Sequence, residues 1–330
     1  MKAFVLRAHS FEVEEISTPE LNSGEVLVKV LFAALNHRDQ WIRVGQYAKI
    51  QLPAVLGSDG VGVVEKVYDE EDSIWIGKTV LINPNIHWGN HPNVQDKAYQ
   101  ILGMPTQGTL ATYVKVNRDR LVEKPSYLTD EESAAIPLAG LTAYNALFNK
   151  GAVTAGIRVL ISGVGGGVAQ FAFLFAVASG AEVWVSSSKE NVLETCLKLG
   201  AKGTINYRNP DAFKELIKSS VFFDVIIDSA GGDQVNTLLS CLKPGGKYVF
   251  YGATNGIPSG LNLRAIFWNH LQLLGSTMGS DVDFNNMVAF CEQHQIHPII
   301  DKCFDFKDTA AAFDRMAAGQ QFGKIIVNMG

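Results

Sequence analysis

The sequence predicts an α/β protein in which a doubly wound parallel sheet is inserted into a second domain built on a small β-barrel. Three observations carry this. Residues 158–185 read as strand, glycine-dense turn, apolar helix and strand, compressed into about thirty residues. Beyond Pro125, short β-branched runs alternate with helical segments, the order that lays down a parallel sheet. Before Pro125, apolar and polar residues alternate at period two between turn residues, as the strands of a barrel do.

Residues 25–32, 60–67 and 78–82 alternate as strands. A polar loop over 83–108 holds His87, Trp88 and His91, and 110–116 resumes as a strand. Thr129 opens a helix whose first turn carries Asp130, Glu131 and Glu132, where the macrodipole favours acids. Six parallel strands are expected at 158–162, 183–186, 204–206, 224–228, 247–251 and 271–276, with the first connecting helix at 169–179. The tail supplies helices at 284–293 and 308–318 and a closing strand at 323–327, expected to fold back onto the barrel. The expected domains are residues 1–124 with 281–330, carrying the substrate, and residues 125–280, carrying a nucleotide.

The nucleotide is implied by the turn Gly163-Val-Gly-Gly-Gly-Val168. Gly163, Gly165, Gly166 and Gly167 let the backbone turn tightly and approach a ligand with no Cβ in the way. In the strand–turn–helix setting, pyrophosphate rests on the N–H groups that open the helix at Val168. The competing explanation is a tight structural turn, which the surrounding βαβ unit disfavours.

At 330 residues the chain can form two domains with sizeable cores, and at 47% hydrophobic and 18% charged it reads as an ordinary globular enzyme. A net charge of −5 excludes general nucleic-acid binding, because no basic excess exists to neutralise phosphates. Residues 1–7 are too short an apolar run for a signal peptide, and no run approaches the ~20 residues that cross a bilayer. Cys196, Cys241, Cys291 and Cys303 are scattered without a Cys-x-x-Cys pair, the pattern of reduced thiols in a cytoplasmic protein. His87 and His91 lie in a loop with no third ligand nearby, so no metal is expected there.

Over its whole length the chain resembles the medium-chain dehydrogenase/reductase superfamily, and most of all its zinc-free quinone oxidoreductase-like branch. The residues that carry the match are Leu35-Asn-His-Arg-Asp39, Arg43-Val-Gly-Gln-Tyr47, Pro53-Ala-Val-Leu-Gly-Ser-Asp-Gly-Val-Gly62 and Gly140-Leu-Thr-Ala-Tyr144. The glycine turn, Leu199-Gly-Ala201, Ile205-Asn-Tyr-Arg208, Asp228-Ser-Ala-Gly-Gly232, Lys243-Pro-Gly-Gly246 and Gly323-Lys-Ile325 complete it. The resemblance implies a Rossmann sheet inserted in a GroES-like catalytic domain. Zinc-dependent relatives place ligands at positions that match Asn36, Ser58 and roughly Leu138, and these side chains cannot supply the thiolate and imidazole set that zinc takes. No metal site is therefore expected. Without a Lewis acid to stabilise an alkoxide, reduction of an electron-poor acceptor is the more plausible chemistry.

Cofactor choice turns on what ends the second parallel strand, where an acid would bind a ribose 2′-hydroxyl. Here Val185 is followed by Ser186, Ser187, Ser188 and Lys189, which suit the 2′-phosphate of NADPH, although they could simply begin the next helix. The resemblance adds Tyr207 against the adenosine phosphate; the lysine that relatives carry beyond Lys189 is Val192 here. Ser229, Ala230 and Gly231, with Tyr251, Gly252, Ala253 and Thr254, end later strands and are expected to line the nicotinamide half. Candidate catalytic residues are Asn36, to hold a ribose or substrate oxygen, Tyr47, to close over or donate to the acceptor, and Thr142, early in a helix that the resemblance implies faces the nicotinamide, with helix packing as its alternative. His37 and Asp39 are candidate proton carriers, with loop stabilisation as the alternative for both.

The expected activity is NADPH-dependent hydride transfer to a small-molecule acceptor, a quinone or an α,β-unsaturated carbonyl compound. A metal-independent alcohol or aldehyde reductase and a redox-inactive nucleotide-binding scaffold are the alternatives. Leu271, Leu273 and Leu274 make the last parallel strand an apolar edge without lysine or proline to guard it, so a homodimer is expected.

Overall fold

A computed structural model describes all 330 residues, Met1–Gly330. The chain forms two compact units, residues 1–139 with 279–330, and residues 140–278.

The first unit begins with β1 (Lys2–Leu6), β2 (Phe11–Glu15) and β3 (Glu25–Ala34), then α1 (His37–Arg43). β4 (Ala54–Val55), β5 (Asp59–Val67), β6 (Thr79–Ile82), β7 (Asn85–Ile86), β8 (Gln100–Ile101), β9 (Tyr113–Asn117) and β10 (Leu121–Glu123) follow, with α2 (Asp130–Ala135) and the first three residues of α3 (Pro137–Tyr144), which continues into the second unit. The second unit contains β11 (Arg158–Ile161), α4 (Gly167–Ala178), β12 (Glu182–Ser187), α5 (Glu190–Lys198), β13 (Gly203–Asn206), α6 (Ala212–Lys218) and β14 (Phe223–Asp228). It continues with α7 (Gln234–Ser240), β15 (Leu242–Phe250), α8 (Leu263–Trp268) and β16 (Gln272–Gly275). The tail returns α9 (Asp281–His294), β17 (Ile300–Asp305), α10 (Thr309–Ala317) and β18 (Lys324–Asn328) to the first unit.

In the first unit β3 is central, flanked by β5 and β18 and also paired with β9; the sheet runs β10-β6-β5-β3-β18-β17. That position explains the composition of β3, whose Val26, Val28, Val30, Ala33 and Ala34 are buried while Lys29 points to solvent. Where β5 crosses it, a Cβ on Gly62 would sit 2.3 Å from the Lys29 carbonyl oxygen, so only glycine lets the strands approach this closely. α2 starts with a reciprocal capping box between Thr129 and Glu132, and its buried Ser133, Ala134 and Ala135 pack on β3, β5 and β18. That packing keeps residues 125–139 with the first unit, so its boundaries fall at 139/140 and 278/279 where the sequence suggested 124/125 and 280/281.

The second unit holds a six-stranded parallel sheet in the order β13-β12-β11-β14-β15-β16, the doubly wound arrangement. α4 is apolar nearly all round and buried accordingly. Phe171, Phe173 and Phe175 are each fully buried, and each contributes roughly 1.5–3 kcal/mol through its removal from water.

The six parallel strands, the four barrel strands named from period-two patterning and both tail helices fall close to the expected positions. Two differences matter. β17 was not expected: its sequence Ile-Asp-Lys-Cys-Phe-Asp has no clean alternation, and its parallel pairing with β18 is what makes it a strand. Thr142 lies near the end of α3, not early in it, because the helix starts at Pro137 and gives way to a π-helical turn over 145–150. No helix is long and apolar enough to cross a membrane.

Candidate active and cofactor-binding sites

In the second unit, the expected cofactor-binding residues lie at the carboxyl ends of the parallel strands. After β11 the chain turns at Gly163, whose φ of +65° is a left-handed conformation and whose missing Cβ would meet nothing within 4 Å. The space over Gly166 is equally open. Gly166 precedes α4 with no side chain capping it, so first-turn N–H groups remain for an anion. Ser186 is fully buried, and its hydroxyl and carbonyl accept from Gly163 N (3.2 Å) and Val164 N (2.9 Å). Its role here is to shape the glycine turn. Ser187 is also buried and accepts from Lys189 N at 3.2 Å, which leaves Ser188 and Lys189, both half-buried, as the more accessible groups beside the second strand. Tyr207 is 41% exposed, and its N–H bonds the Ser187 carbonyl.

Asp228 ends β14 and organises the other half. Its Oδ2 accepts from Gly231 N at 2.8 Å and from the Tyr248 hydroxyl at 2.7 Å, while its buried Oδ1 has no partner. Burial, then the charge of Asp228, pushes the Tyr248 hydroxyl far above its ordinary pKa, so it remains a donor. Thr254 N bonds the Ser229 carbonyl and Asn255 N the Ala230 carbonyl, tying segment 229–232 to segment 251–256. All seven residues expected for the nicotinamide half therefore lie in two hydrogen-bonded loops. Thr142, in the same unit, is 6% exposed and its hydroxyl donates to Met278 Sδ at 3.5 Å.

In the first unit, the end of β3 delivers Asn36 as the N-cap of α1. The Asn36 amide Nδ2 donates to Asp59 Oδ2 at 2.9 Å, and Lys324 Nζ donates to Asn36 Oδ1 at 2.8 Å. Lys324 also donates to Leu35 O and Asp59 Oδ2, each at 2.8 Å, and Leu138 N donates to Asp59 Oδ1 at 2.7 Å. Lys324 and Asp59 are 2% and 0% exposed, an ion pair wholly within the protein. His37 opens α1; loss of hydration around its ring, then the Lys324 charge, lowers its pKa, favouring the neutral imidazole.

Asp39 is fully buried and accepts from Asn36 N and Gly57 N, and burial raises its pKa; it holds the loop. Beside it, Arg38 donates to Ser58 Oγ (2.6 Å), Leu102 O (2.9 Å) and Met104 O (3.2 Å), clamping the 83–108 segment onto α1. Its guanidinium lies 5.3 Å from the centre of the half-buried Tyr47 ring. The sequence reading missed Arg38, Asp59, Lys324 and Asp228 as site residues. Asp228 carried one local signal, an acid ending a strand before small residues. Asp59 and Lys324 are charged residues in glycine-rich or apolar surroundings, Arg38 lies in a polar run, and the partners of all three are far away in sequence.

The four cysteines are set apart from this chemistry. Burial pushes the Cys196 thiol up to about 12 and the Cys241 thiol up to about 11, where they stay protonated.

Two family models match the chain: the alcohol dehydrogenase GroES-like domain over residues 22–126 and the zinc-binding dehydrogenase domain over residues 167–293. A zinc-type alcohol dehydrogenase-like protein, YogA, of Leptosphaeria maculans is 32% identical, the alignment covering 97% of this chain and 95% of the relative. A zinc-type alcohol dehydrogenase-like protein of Schizosaccharomyces pombe is 34% identical over 96% of this chain and 94% of its own. The crystal structure of an NAD-dependent alcohol dehydrogenase superposes with a TM-score of 0.93 at 32% identity, covering 100% of both chains.

Proposed function

The chain is an oxidoreductase that belongs to the medium-chain dehydrogenase/reductase superfamily, and from that premise we propose that it transfers hydride from NADPH to a quinone or α,β-unsaturated carbonyl compound without zinc. The observation that carries this is the state of the three positions where zinc-dependent members hold their metal. The Asn36 amide is bonded to Lys324 and Asp59, the Ser58 hydroxyl is bonded to Arg38 and Leu102 O, and Leu138 offers only hydrocarbon. No three His, Cys, Asp or Glu side chains converge to hold a metal ion. A zinc ion there would also face the Lys324 ammonium and the Arg38 guanidinium. The donor set does not fit the metal.

The second unit does fit a dinucleotide: the open space over Gly163 and Gly166 and the uncapped start of α4 suit a pyrophosphate. When bound, NADPH supplies the hydride. Ser188 and Lys189 are assigned to the 2′-phosphate, with Ser186 and Ser187 supporting them and Tyr207 beside the adenosine. Segments 229–231 and 251–254 are assigned to the nicotinamide half. Asn36, Tyr47 and Thr142 are assigned to the acceptor, and a neutral His37 is available to accept or relay a proton.

Purified protein should consume NADPH absorbance with quinones or enones, contain no stoichiometric zinc and keep its activity in chelator. One zinc per chain, or turnover lost on chelation, overturns the metal-free reading. Ser187→Asp should move preference toward NADH, since an added carboxylate repels a 2′-phosphate; equal binding of NADH and NADPH by wild type overturns the cofactor assignment. The full-length similarity to an NAD-dependent alcohol dehydrogenase favours a second reading, NADH-linked alcohol or aldehyde chemistry. Turnover of simple alcohols with NAD and none of enones would establish it.

A homodimer belongs to the same proposal. β16 is the edge of the parallel sheet, with Leu273 and Leu274 half-buried. Nearby in sequence, Ile257, Leu263, Phe267 and Trp268 are 90%, 67%, 64% and 76% exposed. An unpaired strand edge with that much apolar surface suits a second copy of the chain. Sedimentation as a monomer at micromolar concentration would refute it.

A further inference from the structure

Lys324 was not among the expected site residues, and it does not touch a ligand: its three ammonium hydrogens go to Leu35 O, Asn36 Oδ1 and Asp59 Oδ2. Its effect falls on Asn36. An asparagine amide can lie either way round, and its hydrogen-bond partners decide which. An ammonium can only donate, and the carboxylate paired with it can only accept. Reversing the Asn36 amide would set Nδ2 against Lys324 Nζ and Oδ1 against Asp59, two repulsive contacts inside the protein. The observed orientation spends one Nδ2 hydrogen on Asp59 and leaves the other unspent on a residue that keeps 7% exposure.

We infer that Lys324 and Asp59 are positioning residues that lock the Asn36 amide so that it offers a hydrogen-bond donor to a carbonyl or quinone oxygen. Asp59 is itself held by Leu138 N, so the lock is anchored to the backbone of the first turn of α3 as well as to β18. The device suits a ligand whose oxygen gains negative charge as hydride arrives, because a donor fixed in advance needs no reorganisation at that moment. It rests on the proposed reductase activity for its consequence, though not for its geometry.

The test compares Asn36→Ala, the pair swap Lys324→Met with Asp59→Asn, and the three changes together. Asn36→Ala should lower kcat about 100-fold, as removal of one donor to a developing oxyanion does. The pair swap keeps an acceptor for Leu138 N while freeing the amide to flip, and should lower kcat roughly tenfold through lost orientation. If Lys324 and Asp59 act through Asn36, the triple variant is no slower than Asn36→Ala; losses that simply multiply overturn the inference. Asn36→Leu, which removes the donor at similar volume without setting a second carboxylate against Asp59, should fall as far as Asn36→Ala, and wild-type kcat in it overturns the inference even if the pair swap does not fold.

A second readout is independent of turnover. In asparagine-labelled protein the Asn36 side-chain N–H signals should be slow to exchange in wild type and lose that protection in the pair swap. If wild type reduces no acceptor, the proposed function fails and this spectrum still decides the lock. Unchanged Asn36 signals in the pair swap would refute it.

Discussion

Around the glycine turn, the groups that shape the surface come from one stretch of chain: Gly163 and Gly166, the start of α4, and Ser186 about one βαβ unit later. Around Asp59 the same task takes Asn36, Leu138 and Lys324, the last 265 residues away. The first region is backbone over open space, with few charges to satisfy. The second is a buried ion pair in which every lysine hydrogen is committed. A local motif can be built from residue types that tolerate an unusual backbone, whereas a buried charge is tolerable only when the tertiary fold brings it a partner.

That contrast predicts unequal responses to single changes. The largest effect should come from Lys324→Met, which strands Asp59 inside the protein; a loss of about 3–5 kcal/mol in urea unfolding is expected. The pair swap should recover much of it. A single variant as stable as wild type would break the comparison, because the ion pair would then be a spectator.

Gly163→Ala should cost less, about 1–2 kcal/mol for a side chain forced into a left-handed backbone, since nothing lies within 4 Å of the added Cβ. Its main effect should instead be weaker NADPH binding in calorimetric titration. If affinity is untouched, the open space over the turn does not hold the pyrophosphate.

The smallest effect sharpens the role of α2. Burial pushes the Glu132 carboxyl up, but the Thr129 N–H, His297 and the Thr129 hydroxyl outweigh it and hold the pKa below the usual glutamate value. A carboxylate depressed in this way stabilises the fold above its unfolded pKa, and that contribution disappears as pH falls through the lowered value. Glu132→Gln should therefore cost about 1 kcal/mol at neutral pH, typical of a weakened cap, and nothing in acid. A difference that persists at low pH would assign the effect to packing.

Much of the fold was legible because its signals are local. Period-two alternation located β3, β5, β6 and β9, and β-branched runs between glycine turns located the six parallel strands. β17 escaped because two aspartates and a lysine interrupt its six residues, and only pairing with β18 fixes its conformation. The serines that end β12 were legible as candidate hydroxyls for a nucleotide, but not as a buried brace for the turn, which is what Ser186 is.

The sequence by itself determined the parallel sheet and the glycine turn, and it sets asparagine, serine and leucine at positions 36, 58 and 138, since each depends on residue type and near neighbours. Tertiary structure decided which way the Asn36 amide faces, that Arg38 clamps the 83–108 segment, and that Lys324 lies against Asp59. The reason is physical: backbone conformation is governed over a few residues, while the cost of burying a charge is settled only by whatever group the fold places within about 3 Å of it.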